Sequence, residues 1–240
     1  MGDSMALVLL FRGVLPLTVL LLPLLLLVQD REAQERHSMV SEQIQARGVR
    51  NGNVLRAMRS TPRHLFVPAD LRPFAYEDQA LPIGHQATIS QPYVVALMTE
   101  LLDVSPKDRV LEVGTGSGYQ AAILAQLAAE VYSIEIVPEL ARSAARTLQE
   151  LGYTNVTVRH GDGYRGWPEK SPFNRIILTA APPQIPDALI SQLSTGGRLV
   201  APVGETRVQA LTVVDKSSTG AIRRRTYGDV SFVPMRPGAR

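Results

Sequence analysis

The sequence has no cysteine. Disulfides, zinc–thiolate centres and mechanisms built on a cysteine nucleophile are therefore excluded. Lysine is scarce: 22 of the 25 basic residues are arginine. They are dispersed, and the only run is Arg223-Arg224-Arg225. A nucleic-acid binder carries a denser basic stripe, so the run reads as a solvated face and no nucleic-acid partner is expected. The 4 histidines stand apart, not at metal-ligand spacing, and no metal is expected. His64, His85 and His160 read as loop or surface residues. There is no internal repeat. What remains is ordinary globular composition, 45% hydrophobic and 20% charged over 240 residues with a net charge of +3. That length suits one α/β domain with additions.

The strongest hydrophobic run is at the N-terminus, where Gly13 to Gln29 carries no charge and is followed by Asp30, Arg31 and Glu32. The segment resembles a signal-peptide core or a short anchor; a buried helix or an upstream extension are the other readings. Residues 1–30 are therefore set apart as a hydrophobic signal-like or anchor segment, with membrane contact through residues 13–29 as one consequence.

From residue 31 onward the chain reads as one domain in three parts. Residues 31–105 hold helices broken near Gly48 and Gly52, an extended linker marked by Thr61-Pro62 and Val67-Pro68, and a loop from Pro73 to Pro92. Tyr93 to Leu102 returns to helical spacing. Residues 106–205 alternate strand and helix, with strands at Val110–Val113, Val131–Ile136, Val156–Arg159, Arg175–Thr179 and Leu199–Val203. This order predicts a mostly parallel sheet with helices on both faces. Residues 206–240 add a β-hairpin, Val208–Asp215 and Ile222–Tyr227 around KSSTG.

The first of those strands runs into Gly114, Gly116 and Gly118. Glycine permits a turn with positive φ and close approach of a ligand to the backbone. Many βα turns carry glycine for geometry alone. A dinucleotide site would place its third glycine where this chain has Tyr119, which argues against a nicotinamide oxidoreductase. Glu112 precedes the turn; a carboxylate there suits a cationic amino group and repels a pyrophosphate. Glu135 ends the second strand, where an acid can accept both hydroxyls of a ribose; it is also simply a strand-end acid. Asp162, in Gly161-Asp162-Gly163, can accept from an adenine amino group with Gly163 making room, or form an ordinary Asx turn. Three acids at successive strand ends fit one ligand with an amino-acid end, a ribose and an adenine. S-adenosylmethionine has these parts.

Several segments together resemble one family. They are Ala80-Leu81-Pro82-Ile83-Gly84, Thr88-Ile89-Ser90-Gln91-Pro92-Tyr93, Val110–Ala125, GDGYRGWPEKSPFNRIILTAAPPQIP and GGRLVAPVG. Over about Met39 to Pro234 the chain resembles protein-L-isoaspartate O-methyltransferases. The resemblance implies a Rossmann-like methyltransferase fold. It implies methyl transfer from S-adenosylmethionine to the α-carboxyl of isoaspartyl residues in damaged proteins. Cofactor supply and the family favour the cytoplasm, the N-terminal segment favours export or anchoring, and a monomer is expected. The resemblance places the active-site hydroxyl at Ser90, with Thr88 beside it, and Ala87 and Ile89 against the cofactor; Gln209 aligns loosely with a cofactor-side position. Thr88 and Ser90 can equally cap the helix that follows. The Thr179-Ala180-Ala181-Pro182-Pro183 turn lacks the Asn or Asp with which amino-group methylases polarise nitrogen, and the lack of cysteine excludes covalent C5-pyrimidine methylation. The chain departs from the family pattern at His85-Gln86-Ala87, where a second glycine is usual, at Ile136, where arginine is frequent, and at Asn174, where aspartate is usual. A tethered binding module without turnover is the non-enzymatic alternative.

Overall fold

Segments rich in valine, isoleucine and leucine become the central strands. The computed structural model describes residues 31–238; the apolar N-terminal segment, and the readings of it as anchor or signal, lie outside the described residues. Among the described residues no helix is long and apolar enough to cross a membrane. The described residues form nine strands: β1 (Leu81–Gly84), β2 (Ala87–Ile89), β3 (Arg109–Val113), β4 (Glu130–Glu135), β5 (Val156–His160), β6 (Phe173–Leu178), β7 (Leu193–Val203), β8 (Gln209–Lys216) and β9 (Ile222–Val230). The last seven make one sheet in the order β5-β4-β3-β6-β7-β8-β9. Pairings from β5 to β7 are parallel, and β8 and β9 are added antiparallel. The expected α/β core with a C-terminal hairpin is therefore present. The chain leaves β3 for one side of the sheet and later returns to β6 on its other side. That reversal opens a crevice at the carboxyl ends of the strands.

The alternation along each strand sorts side chains into two cores. Val110, Val131, Ile177, Val200 and Val213 face one way, onto α2 (Gly52–Ser60), α3 (Pro92–Leu102) and α4 (Tyr119–Ala125). Leu111, Tyr132, Ile134, Ile176, Leu199 and Val214 face the other, onto Trp167 and Leu189 of α6 (Asp187–Gln192). Burial on both faces explains why these strands read as nearly continuous apolar runs. The remaining long helix, α5 (Pro138–Glu150), sends Leu148 into the first core.

The N-terminal part packs as α1 (residues 31–38), a π-helical stretch Met39–Ile44, a short turn Gln45–Arg47 closed by Gly48 at φ 101°, and then α2. The Asn51 side chain accepts from the amides of Asn53 and Val54 and so caps α2.

Three local expectations are corrected. The extended linker is instead two 3₁₀ turns, Arg63–Phe66 and Ala69–Phe74, entered at Pro62 and Pro68. Arg63 stabilises them from inside the protein, donating from Nε to the Ala75 carbonyl at 2.8 Å. The loop from Pro73 to Pro92 contains the β1–β2 hairpin, with Leu81 opposite Ile89. Strand β7 begins at Leu193 rather than Leu199; its Ser194–Gly197 portion is irregular against β6, so apolar alternation does not reveal it.

Candidate active site

The crevice at the switch point is an open cleft, floored by Val113, Gly114 and Gly116 and walled by Glu135, Thr179 and Ala87. Its floor requires glycine. Gly114 has φ 103°, and a Cβ there would lie 2.5 Å from Thr179 Oγ1. Gly116 has φ 54°, and its N–H donates to Glu135 Oε2 at 2.8 Å. Val137 N–H donates to Glu135 Oε1 at 2.9 Å. Two amides thus fix the Glu135 carboxylate at the cleft wall, and each oxygen keeps a lone pair for another donor. Gly118, at φ 90°, serves packing instead: it starts α4 against Leu148 of α5. A Cβ on Gly163 would collide with Val113, so this cleft-lining glycine is also obligatory.

Glu112 lies outside the cleft lining and is 0% exposed. Its Oε2 accepts from Ser133 Oγ at 2.5 Å, Ser133 bonds in turn to Thr115, and Oε1 has no partner among the described residues. Burial pushes its pKa up to about 8; the Ser133 hydrogen bond opposes the shift and the nearby Glu135 charge adds to it.

The β1–β2 hairpin forms the opposite wall. Its two-residue turn, His85-Gln86, has φ 51° and 60°. Both residues thus adopt the left-handed region that glycine or asparagine usually fills. Ala87 and Thr88 line the cleft, whereas Ile89 is buried in the first core. Thr88 also borders a second, wider hollow that holds Ser90, Tyr93 and Phe232. The helix-capping alternative is not realised: α3 starts from Gln91 with no side-chain cap, and Pro92 takes its first turn.

Besides Ile89, Glu112 and Gly118, two more expected cofactor residues stand outside the cleft lining. Asp162 accepts from Tyr164 N–H at 2.9 Å, the Asx-type turn, and Gly238 packs against its carboxylate. Gln209 is buried and accepts from Phe232 N–H at 2.8 Å, so it fastens the segment after β9. His64 is also not a surface residue: it is buried, with Nδ1 2.6 Å from Tyr76 Oη and Nε2 3.1 Å from Glu32.

The sequence reading missed the last wall. Val233 to Arg236 line the cleft, held by Met235 N–H donating to Ala181 O at 2.8 Å and Ala181 N–H donating to Val233 O at 2.9 Å. Arg236 reaches across to the His85 carbonyl at 3.0 Å. The Phe232-Val233-Pro234-Met235 run was the available signal, a short apolar stretch after the last strand.

A family model described as protein-L-isoaspartate(D-aspartate) O-methyltransferase matches residues 34–239. The chain belongs to this family. Protein-L-isoaspartate O-methyltransferase of Gloeobacter violaceus is 54% identical over 198 residues, covering 82% of this chain and 96% of that one. That of Opitutus terrae is 51% identical over 223 residues, covering 90% and 95%. A solved protein-L-isoaspartate O-methyltransferase superposes with TM-score 0.74 at 28% identity, covering 83% of this chain and 65% of the other. A putative one from Plasmodium falciparum, in complex with S-adenosyl-L-homocysteine, gives 0.73 at 25% identity, covering 84% and 98%.

Within that family frame the departures acquire structural roles. Asn174 Oδ1 accepts from Arg109 N–H at 2.8 Å, tying the start of β3 to β6. Ile136 lines the cleft as an apolar side chain. Gln86 holds the turn conformation without glycine's freedom.

Proposed function

We infer that this protein transfers a methyl group from S-adenosylmethionine to the free α-carboxyl of L-isoaspartyl residues and so starts their repair. Besides family membership, one observation carries the reading: Thr88 borders both hollows, so a single hairpin strand separates a glycine-floored cleft from the hollow that holds Ser90. The cleft suits the cofactor. Gly114 and Gly163 leave space that a Cβ would fill, and Glu135 has acceptor capacity for a ribose. Gly116 and Ala87 would face the same ligand. Glu112 supports the glycine turn from beneath, Gly118 sets the helix behind it, and Ile89 and Gln209 anchor the walls. Asp162, next to the cleft-lining Gly163 and adjoined by the C-terminal segment, would serve the adenine end.

S-adenosylmethionine supplies an electrophilic methyl group. The substrate carboxylate is ionised at neutral pH, so the protein needs no strong base. Its work is to align oxygen with carbon and to exclude water. Ser90 Oγ and Thr88 Oγ1 would donate to the carboxylate and hold it without neutralising it as an arginine would. The carboxylate oxygen gives its lone pair to the methyl carbon, and the carbon–sulfur bond breaks with its electrons remaining on sulfur. The ester then loses methanol as the adjacent backbone nitrogen closes a succinimide, which water opens partly to normal aspartate. We place the enzyme in the cytoplasm, where the methyl donor is made, acting as a monomer.

The test is methyl transfer from labelled S-adenosylmethionine to an isoaspartyl peptide, with the aspartyl peptide as control. Base-labile label on the isoaspartyl peptide alone is expected; label on both or neither refutes the substrate assignment. Ser90→Ala should lower kcat/KM by roughly 10- to 100-fold, the worth of one hydrogen bond to a charged group, with cofactor affinity unchanged. Unaltered turnover would remove Ser90 from its role.

A further inference from the structure

Strand β9 is the outermost strand of the sheet, and among the described residues nothing pairs with its outer side. Eight of its nine residues are exposed. It carries the one basic run of the chain, Arg223-Arg224-Arg225. Arg225 is already engaged, donating to Asp215 at 2.7 Å and lying 5.7 Å from the Tyr227 ring centre. Arg223 and Arg224 extend from the exposed strand with no ion pair among the described residues. The strand's other end, Asp229 and Val230, continues through Ser231 and Phe232 into the wall of the hollow that holds Ser90. An open sheet edge with unpaired amides and carbonyls thus leads directly out of the substrate hollow.

We propose that the outer edge of β9 docks an extended, acidic segment of the substrate polypeptide as a further strand, with Arg223 and Arg224 reading its charge. The inference rests on the function proposed above and names a feature of its substrates. The occupant follows from geometry and charge. An extended chain whose isoaspartyl residue lies beside Ser90 has its flanking residues beside Val230, and backbone pairing to an edge strand needs no particular sequence. Acidic side chains supply the complement to the two arginines. At ~3.3 Å per residue, Arg224 lies about 20 Å along the strand from Val230. The acidic residues should therefore stand about five to seven positions from the isoaspartate, on one side of it only. The competing role for these arginines is to guard the edge against self-association, which predicts no effect of peptide charge position.

The experiment uses the full chain and synthetic peptides: a neutral isoaspartyl peptide, and versions with two glutamates placed either two or six residues away, on either side. Wild type at low salt should show a KM lowered roughly three- to tenfold for one of the six-residue placements, as expected of exposed ion pairs. The advantage should disappear at high ionic strength. Arg223→Glu/Arg224→Glu should abolish or reverse it while leaving kcat/KM on the neutral peptide unchanged. An advantage independent of spacing or side, or one retained by the double variant, overturns the proposal. Failure to methylate even the neutral peptide would refute the function instead. Fluorescence anisotropy of the same labelled peptides then reads the edge directly: equal binding by wild type and double variant refutes it, and loss in the variant supports it.

Discussion

Replacing Glu112 by glutamine should make the protein more stable, and by an amount that depends on pH in a defined way. Glu112 is sealed beneath the glycine turn with one hydrogen bond, from Ser133, and one oxygen unpartnered. Its pKa in the folded protein stands at about 8 against 4.5 for the free group, chiefly because burial penalises the charge. The folded state therefore keeps a proton that the unfolded chain has released throughout the interval between those values. Stability from this group is complete below about pH 4.5, declines as pH rises, and is exhausted above about pH 8. Each pH unit costs about 1.4 kcal/mol, so the loss approaches 5 kcal/mol at its ceiling, or ~3 kcal/mol at pH 7. Glutamine keeps the shape and the acceptor but cannot ionise. Urea unfolding of both proteins from pH 5 to 9, followed by fluorescence of the sole and buried Trp167, gives the difference directly. The glutamine form should gain relative to wild type by about 1.4 kcal/mol per unit up to about pH 8, then hold level. All other titrations are common to both proteins and cancel. A difference that is flat across pH 5 to 8 would show that Glu112 ionises freely in the fold and would refute the reasoning.

Two further outcomes follow from the same walls. Gly114→Ala forces a side chain at φ 103° into Thr179 Oγ1; it should abolish cofactor binding by calorimetry and cost about 1–3 kcal/mol of stability. Gln86→Gly removes a side chain from a left-handed position, φ 60°; it should stabilise the protein by about 1 kcal/mol in urea, and an unchanged midpoint would show that the turn is unstrained.

The sequence made the centre of the fold plain and its edges obscure. Strands β3, β4 and β6 are buried on both faces, so their apolar runs stood out between glycines and polar turns. Gly114, Gly116 and Glu135 were legible because a tight turn and a strand-end acid have few other uses together. The β1–β2 hairpin was hidden because His85-Gln86 is not the Asn-Gly pair that marks such turns. The 3₁₀ turns after α2 were hidden because Pro62 and Pro68 signal an extended chain equally well. Their internal support, Arg63, is wholly buried with Nη1 and Nη2 unpartnered among the described residues, a placement that no local pattern announces. Gln209 read as a cofactor neighbour only through a loose alignment with a family position; its amide oxygen accepts from Phe232 N–H. Val233 to Arg236 escaped because a tail that crosses back over a cleft has no periodicity.

That tail sets an order of assembly. The sheet, the glycine turn and the hairpin are all encoded before residue 231, yet the cleft gains its last wall only from Val233 to Arg236. While the polypeptide is being made, that wall is added only after the strands of the sheet have been synthesised. Cargo fused after Arg236 would be tethered at the mouth of the cleft.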